Sequence, residues 1–269
     1  MPARASLPPN AAEQKLARYV IPNLRNACRI LKLLGRQPDG YKAADISREL
    51  RIPVTTTLRI MATLQLEGLA RKVENRYELG PVLIALGNAS LAGTEIREMA
   101  LPVLEHLTAE TDETSHLAIP CDDRSLIVAV QDSPHPLRAA SRPGFLADLH
   151  CSSTGKVFLA FVKGCEPATI FPQGGSRRTA RTKTTLAEIK RDAEITRGRG
   201  YGLEAEEFHP GIRCLAAPIK SSTGEVVAAI GITASMTRFT KERIPEMVGK
   251  VQAAAAELSR RLGYSAPHR

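Results

Sequence analysis

The chain has 269 residues, 43% of them hydrophobic and 24% charged, with 19 Gly and 18 Pro. That length supports one large or two ordinary domains with a substantial core, and the composition excludes collagen, coiled-coil and wholly disordered readings. The formal net charge of +9 is unevenly spread: residues 1–80 carry 14 Lys and Arg against 7 Asp and Glu, and residues 81–269 carry 23 against 21. A basic segment joined to a near-neutral body suits a phosphate-backbone partner, because Lys and Arg release counterions condensed on a polyanion. A solvated basic face without a partner is the other reading of the same charge. The longest strongly apolar run, Val226–Ile232, is far short of the roughly 18 residues a bilayer span needs. The opening MPARASLPPN lacks a secretory signal's apolar segment, so a cytoplasmic protein with no membrane partner is expected. Five dispersed cysteines and six scattered histidines show no metal-ligand spacing, so reduced thiols, no metal and no cofactor are expected.

Residues 1–22 carry four prolines and no sustained period, which predicts a flexible arm. From Asn23, the positions Leu24, Ala27, Ile30, Leu31 and Leu34 form one apolar stripe on a helix ending at Gly35. Pro38-Asp39-Gly40 makes a turn, Ala43–Leu50 a short helix with Ile46 and Leu50 on one face, and Arg51-Ile52-Pro53 breaks it. The next helix, residues 54–67, begins behind Pro53, which suits a first-turn position, and stops at Gly68. Its apolar side reads as Leu58, Met61, Leu64 and Leu66, leaving Thr55, Thr56 and Arg59 to solvent. Two helices joined by so short a turn are a helix-turn-helix candidate. Leu69–Val73 and Arg76–Leu79 flank Glu74-Asn75 as a hairpin, a wing bearing Arg71, Lys72 and Arg76. Val82–Gly87 reads as a bridging helix whose exposed apolar side a second subunit would cover.

Residues 95–262 read as an α+β unit, an antiparallel sheet flanked by helices. A helix over Ile96–Ala109, with Leu101, Leu104 and Leu107 as its core face, leads into strands Thr114–Ile119 and Ser125–Val130, turned at Asp122-Asp123. Further strands are expected at Leu137–Ser141, Cys214–Ile219 and Val226–Thr233, and helices at Thr154–Phe161, Leu186–Arg197 and Lys241–Leu262.

A helix that enters the major groove needs short hydroxyl and guanidinium side chains near its N-terminus, where free backbone N–H groups also favour phosphate. Thr55, Thr56, Thr57 and Arg59 meet that need, although threonines there also serve as caps. Lys42, just before the preceding helix, joins them as a candidate DNA contact with Arg71, Lys72 and Arg76 of the wing. Helix, turn, helix and basic hairpin follow one another in the cationic part of the chain, and this order favours a duplex-DNA partner. An RNA-binding scaffold lacks its stacking platform, since aromatics are only 4% of the chain and Trp is absent.

The chain resembles the IclR-type bacterial transcriptional regulators over about residues 23–263. The resemblance is carried by residues 44–50 (ADISREL), Pro53 through Leu64, Glu67-Gly68-Leu69 and residues 76–80 (RYELG). In the C-terminal part it is carried by residues 149–156 (LHCSSTGK), Arg199-Gly200-Tyr201, Glu206-Glu207 and residues 211–219 (GIRCLAAPI). It implies a winged helix-turn-helix over 23–80, a linker helix over 81–94, a GAF-like effector domain over 95–263 and a tail over 264–269. The implied protein is no enzyme. It is a dimeric or tetrameric regulator of a palindromic operator, responsive to a small carboxylic or aromatic acid. Thr55, Thr56 and Arg59 match the family, whereas Val54 and Leu58 stand where Lys and His are common. The resemblance also places effector contacts at Ser153, Thr154, Glu204, Cys214, Gly231 and Thr233. Hydroxyls at a helix start favour an anion there, and Ala139 and Ala147 leave room for an aromatic ring. The rival reading is a thiol redox sensor or cysteine hydrolase using Cys151 beside His150, which needs a base placed by a third group.

Overall fold

The computed structural model describes residues 18–265 apart from Pro38, Gly93 and Thr94, and the chain divides into two compact units, 1–93 and 94–269. Most of the expected arm (1–22) and tail (264–269) lies outside the described residues, as does Pro38 of the expected turn.

In the first unit α1 (Pro22–Leu34), α2 (Ala43–Leu50) and α3 (Val54–Leu66) surround a core of Ile30, Leu33, Leu34, Ile46, Ile52, Ile60, Met61 and Leu64. Leu24, expected in the α1 stripe, is exposed; the stripe begins a turn later, where α2 and α3 exist to pack against it. Arg51 takes a left-handed conformation (φ 53°) and ends α2. Pro53 is the N-cap of α3 and not a first-turn residue. At the other end of α3 the N–H of Gly68 donates to the Gln65 carbonyl and that of Leu69 to the Leu64 carbonyl. This is a Schellman stop, and the left-handed Gly68 (φ +67°) makes it possible.

The buried face of α3 is Thr57, Ile60, Met61 and Leu64, a stripe rotated from the expected one. Leu58 and Leu66 are exposed, because the inward positions 57, 60, 61 and 64 fix the phase of a 3.6-residue helix and put Leu58 on its flank and Leu66 on its far side. The wing pairs β1 (Ala70–Val73) with β2 (Arg76–Leu79), Val73 opposite Arg76, and Tyr41 bridges to Tyr77. α4 (Val82–Ala92) follows, longer than the expected bridge, with Ile84 and Leu86 exposed.

The second unit carries a six-stranded antiparallel sheet in the order β5-β4-β3-β8-β7-β6. Its strands are β3 (Thr114–Cys121), β4 (Arg124–Gln131), β5 (Leu146–Asp148), β6 (Gly202–Ala205), β7 (Ile212–Lys220) and β8 (Val226–Ser235). α5 (Glu95–Thr111) and α9 (Ile244–Arg261) pack together on one face. α6 (Ser153–Phe161) covers the other, and α8 (Leu186–Arg199) packs against α6 and the single-turn α7 (Pro167–Ile170).

Thr185 caps α8 in a reciprocal box with Glu188. Of the expected α5 core face Leu104 and Leu107 are buried, whereas Leu101 is exposed and Ala100 and Val103 complete the face in its place. The expected strand at Leu137–Ser141 does not form, and residues 132–145 run as a loop. The short edge strands β5 and β6 were not anticipated, since three or four residues carry too little alternation to be seen.

Between α6 and the sheet lies a core of Val157, Phe158, Leu159, Ala118, Ala216 and Ala229. Small strand residues here let α6 approach closely, and Gly202 is required for it: a Cβ at that position would meet the Ser153 carbonyl oxygen at 2.2 Å.

Met61→Ala empties a fully buried position and should lower the unfolding free energy of the first unit by about 2–5 kcal/mol. Leu66→Ala, at a side chain 87% exposed, should stay within about 0.5 kcal/mol. Urea unfolding followed by circular dichroism measures both.

Candidate functional site

On the first unit, the N-terminal half of α3 presents Thr55 and Arg59 to solvent, with Thr56 half-buried beside them. Lys42 is exposed in the N-cap of α2. Thr57, expected among the DNA contacts, is fully buried in the three-helix core and cannot reach a partner. Its place one position off the exposed stripe is the physical reason for that correction. The wing cations are partly engaged: Arg71 pairs with Glu78 at 2.8 Å, Lys72 lies 5.7 Å from the Tyr77 ring centre, and Arg76 donates to the Gly40 carbonyl at 3.0 Å. Arg76 therefore ties the wing to the turn before α2, whereas the Arg59 side chain has no ion pair among the described residues.

On the second unit, a cavity of about 370 Å³ opens between the N-terminus of α6, the sheet and the 139–147 segment. Five of the six expected effector residues line it: Ser153, Thr154, Glu204, Cys214 and Thr233. Gly231 does not. It sits one alternation deeper on β8, where a Cβ would strike the Leu215 carbonyl oxygen at 2.3 Å, so it is a close-packing residue. Ala139 and Ala147 do line the cavity.

Sheet register assembles the polar floor. Glu204 on β6 is directly opposite Cys214 on β7, which is directly opposite Thr233 on β8. The Cys214 thiol lies 3.4 Å from Thr233 Oγ1, which is 3.5 Å from His116 Nδ1 on β3. Burial pushes His116 down to about 4, so the imidazole is neutral at neutral pH. Sequence reasoning missed His116, which period-two alternation from Thr114 would have put on this face.

Glu204 is fully buried, and its Oε1 accepts the backbone N–H groups of Glu207 (2.7 Å) and Phe208 (2.9 Å). Oε2 has no nitrogen or hydroxyl partner and only the weakly donating Cys214 thiol beside it. Burial raises this carboxyl to about 7, against the lowering effect of its hydrogen bonds. On the opposite wall Ser152 caps α6 by accepting the Gly155 N–H, and Thr154 pairs with Ser125 at 2.8 Å. With the Gly155 N–H taken by Ser152, the first-turn N–H groups of Ser153 and Thr154, residues that line the cavity, have no intrahelical acceptor. Phe208 closes one side, edge-on to Phe145 and beneath the Arg178 guanidinium at 4.4 Å. Arg142 is an exposed cation at the lining.

The rival cysteine chemistry is not assembled. Cys151 is fully buried against Ala147 and Phe208, and burial pushes its thiol up to about 12. The adjacent His150 ring turns to the Ser176 carbonyl at 2.8 Å and packs edge-on to Phe171. A thiol so held is neither a ready nucleophile nor a reactive sensor at neutral pH.

Comparison with known proteins agrees with both halves of this geometry. The model of the IclR helix-turn-helix domain matches residues 24–74, and that of the bacterial transcriptional regulator IclR C-terminal domain matches residues 88–260. The chain belongs to the IclR family of bacterial transcriptional regulators. It is 30% identical to the HTH-type transcriptional regulator XynR of Escherichia coli, over 92% of this chain and 99% of XynR. The crystal structure of the Thermotoga maritima IclR is 30% identical, covers 90% of this chain and 98% of its own, and superposes with a TM-score of 0.65. An IclR homolog from Microbacterium hydrocarbonoxydans, crystallised with 4-hydroxybenzoate, shares the fold at 22% identity and a TM-score of 0.71, with 89% and 98% of the chains covered. As an IclR-family member, this chain is a transcriptional regulator that pairs a helix-turn-helix DNA-binding domain with a C-terminal effector domain.

The raised carboxyl gives a pH signature. Between about 4.5 and about 7 the folded chain keeps the Glu204 proton that the unfolded chain releases, so this group's contribution to stability is lost as pH rises through that window. Glu204→Gln should therefore raise the melting temperature of the second unit at pH 8 and change it little at pH 5. Thermal melts at the two pH values check this, and an equal shift at both would contradict it.

Proposed function

We propose that this regulator acts in the cytoplasm as a homodimer, or a dimer of dimers, on a palindromic operator, and that a small carboxylic acid sets its grip. Two copies of α3 would enter the major groove at half-sites about 34 Å apart. Thr55, Thr56 and Arg59 would meet base edges and phosphates there. Lys42, Arg71, Lys72 and Arg76 would meet the backbone. The exposed apolar side chains of α4, Ile84 and Leu86, support self-association.

The observation that carries the ligand assignment is the cavity's two-sided polarity: the backbone N–H groups and hydroxyls of Ser153 and Thr154 at the start of α6, an incompletely paired carboxyl and a neutral imidazole on the sheet. A carboxylate suits the helix terminus, and a hydroxyl or similar donor suits Glu204 Oε2 and His116. The small walls at Ala139, Ala140 and Ala147 accept a single ring. A hydroxyaryl acid such as that held by the Microbacterium homolog has this chemistry. Binding changes operator affinity only to the extent that the ligand prefers one of the protein's two arrangements.

Thermal-shift screening against a panel of small carboxylic acids tests the ligand class, since a ligand of the native state raises apparent stability. Fluorescence anisotropy with duplexes from the chain's own genomic neighbourhood tests the operator, and the affinity should fall steeply with added salt. Arg59→Ala should lose about five- to 150-fold in operator affinity, about 1–3 kcal/mol for a bidentate base contact, with the acid-induced melting shift intact. Thr154→Leu, which fills the cavity, should abolish the melting shift and leave duplex binding in place. Loss of both properties in either variant would contradict the division of labour.

A further inference from the structure

We propose that Leu58 is a specificity-determining residue that reads the C5-methyl group of thymine, so that the operator carries a T·A pair beside the base met by Arg59. The inference rests on the duplex-DNA reading above and goes one step further, to the chemistry of a particular base.

The rotation of α3 is fixed by the side chains it buries, Thr57, Ile60, Met61 and Leu64. Thr55, Arg59 and Ala62 therefore lie opposite the core, and Val54 and Leu58 form an adjacent stripe on the flank of the helix. Leu58 is 44% exposed and Val54 48% exposed, and neither belongs to the core of the first unit. They lie beside Arg59, an exposed guanidinium, in the part of the chain that carries seven more basic than acidic residues. That charge favours a polyanion as the occupant of this face over a second copy of the same basic module.

The major groove supplies a single apolar group, the thymine methyl; every other base edge there offers hydrogen-bond donors and acceptors. A leucine pressed against those polar edges would desolvate them without replacing their hydrogen bonds. Against a methyl it gains apolar burial instead. Leu66, at the far end of α3 and 87% exposed, lies eight residues or about 12 Å along the axis from Leu58, so it takes no part in this contact.

The full-length protein is used to select from a randomised duplex library at low salt, and each thymine of the selected duplex is then replaced by deoxyuridine, which removes only the methyl. The expected result is a thymine in each half-site whose replacement weakens binding about fourfold, the effect of one buried methyl at about 0.8 kcal/mol. Leu58→Ala, at an exposed position, should fold as the parent does and bind the thymine and uracil duplexes within twofold of each other. The proposal is overturned if a sequence is enriched but no uracil replacement weakens binding, or if Leu58→Ala keeps the parent's preference for thymine. It is also overturned if Leu58→Ala changes the oligomeric state in sedimentation, which would make this face a self-interface. Failure of any duplex to be enriched would instead remove the DNA reading itself.

Discussion

A single buried ammonium holds the effector domain's site in register. Lys156, on the second turn of α6, is 1% exposed and bonds Asp192 of α8 at 2.8 Å, Glu207 after β6 at 2.5 Å and the Leu203 carbonyl of β6 at 3.2 Å. Lys183 completes the cluster with Asp192 at 2.6 Å and Glu207 at 3.4 Å. Burial alone would lower the pKa of Lys156, but the two carboxylates outweigh it and hold it above its ordinary value. Burial likewise pushes Asp192 up, and the two ammonium groups more than reverse the effect. A network of this kind contributes little net stability compared with an apolar replacement, yet losing one member strands a charge in the interior. Its consequence is geometric, since α6, α8 and the chain after β6 can occupy only one mutual arrangement while all the partners are satisfied.

The cavity inherits that arrangement. The backbone N–H of Glu207, whose side chain holds Lys156, donates to Glu204 Oε1, so the same loop fixes both the charge cluster and the carboxyl on the cavity floor. The α6 terminus that faces this floor is three residues from Lys156. Asp148, at the end of β5, ties the remaining wall through ion pairs to Arg124 and Arg178, the latter at 2.5 Å. A ligand in this cavity would thus meet groups already placed by the fold, which lowers the ordering cost of recognition. At the cavity floor Glu204 is left incompletely paired, and a buried polar atom without a partner is the feature that a ligand's own donor would satisfy.

Much of this was legible in the sequence where a pattern was long. The helices of the reading module, the wing and the β7–β8 hairpin follow from 3.6- and 2-residue periods and from Gly and Pro stops. Phase was harder than existence. On α3 both Leu58 and Thr57 sit at the margin of an apolar stripe, and hydrophobicity favours burying leucine. The observed rotation is decided by Ile60 and Met61, which need α1 and α2 as neighbours. On α5 the same error exchanged Leu101 for Ala100, because a small residue is buried where helices approach closely. The effector residues came from family resemblance, and no local signal could have joined them. Glu204, Cys214, Thr233 and His116 become neighbours only through a strand order that puts β3 beside β8, and Gly231 looks like a member of the same row until its contact with β7 is seen.

The distribution of charge explains how one chain can treat two kinds of anion separately. In the effector domain the well-placed cations are already engaged: Lys156 and Lys183 with Asp192 and Glu207, Arg178 with Asp148, and Arg238 with Glu113 at 2.6 Å. An acid in the cavity would then meet mainly backbone N–H groups and hydroxyls, which act at short range, with the solvent-exposed Arg142 at the rim as the one cation of the lining. On the reading module Arg59 and Lys42 remain exposed to solvent, which is what a phosphate backbone requires and a buried metabolite site does not. Short-range donors for the small anion and solvent-exposed cations for the large one would let each be bound without competing for the other's partners.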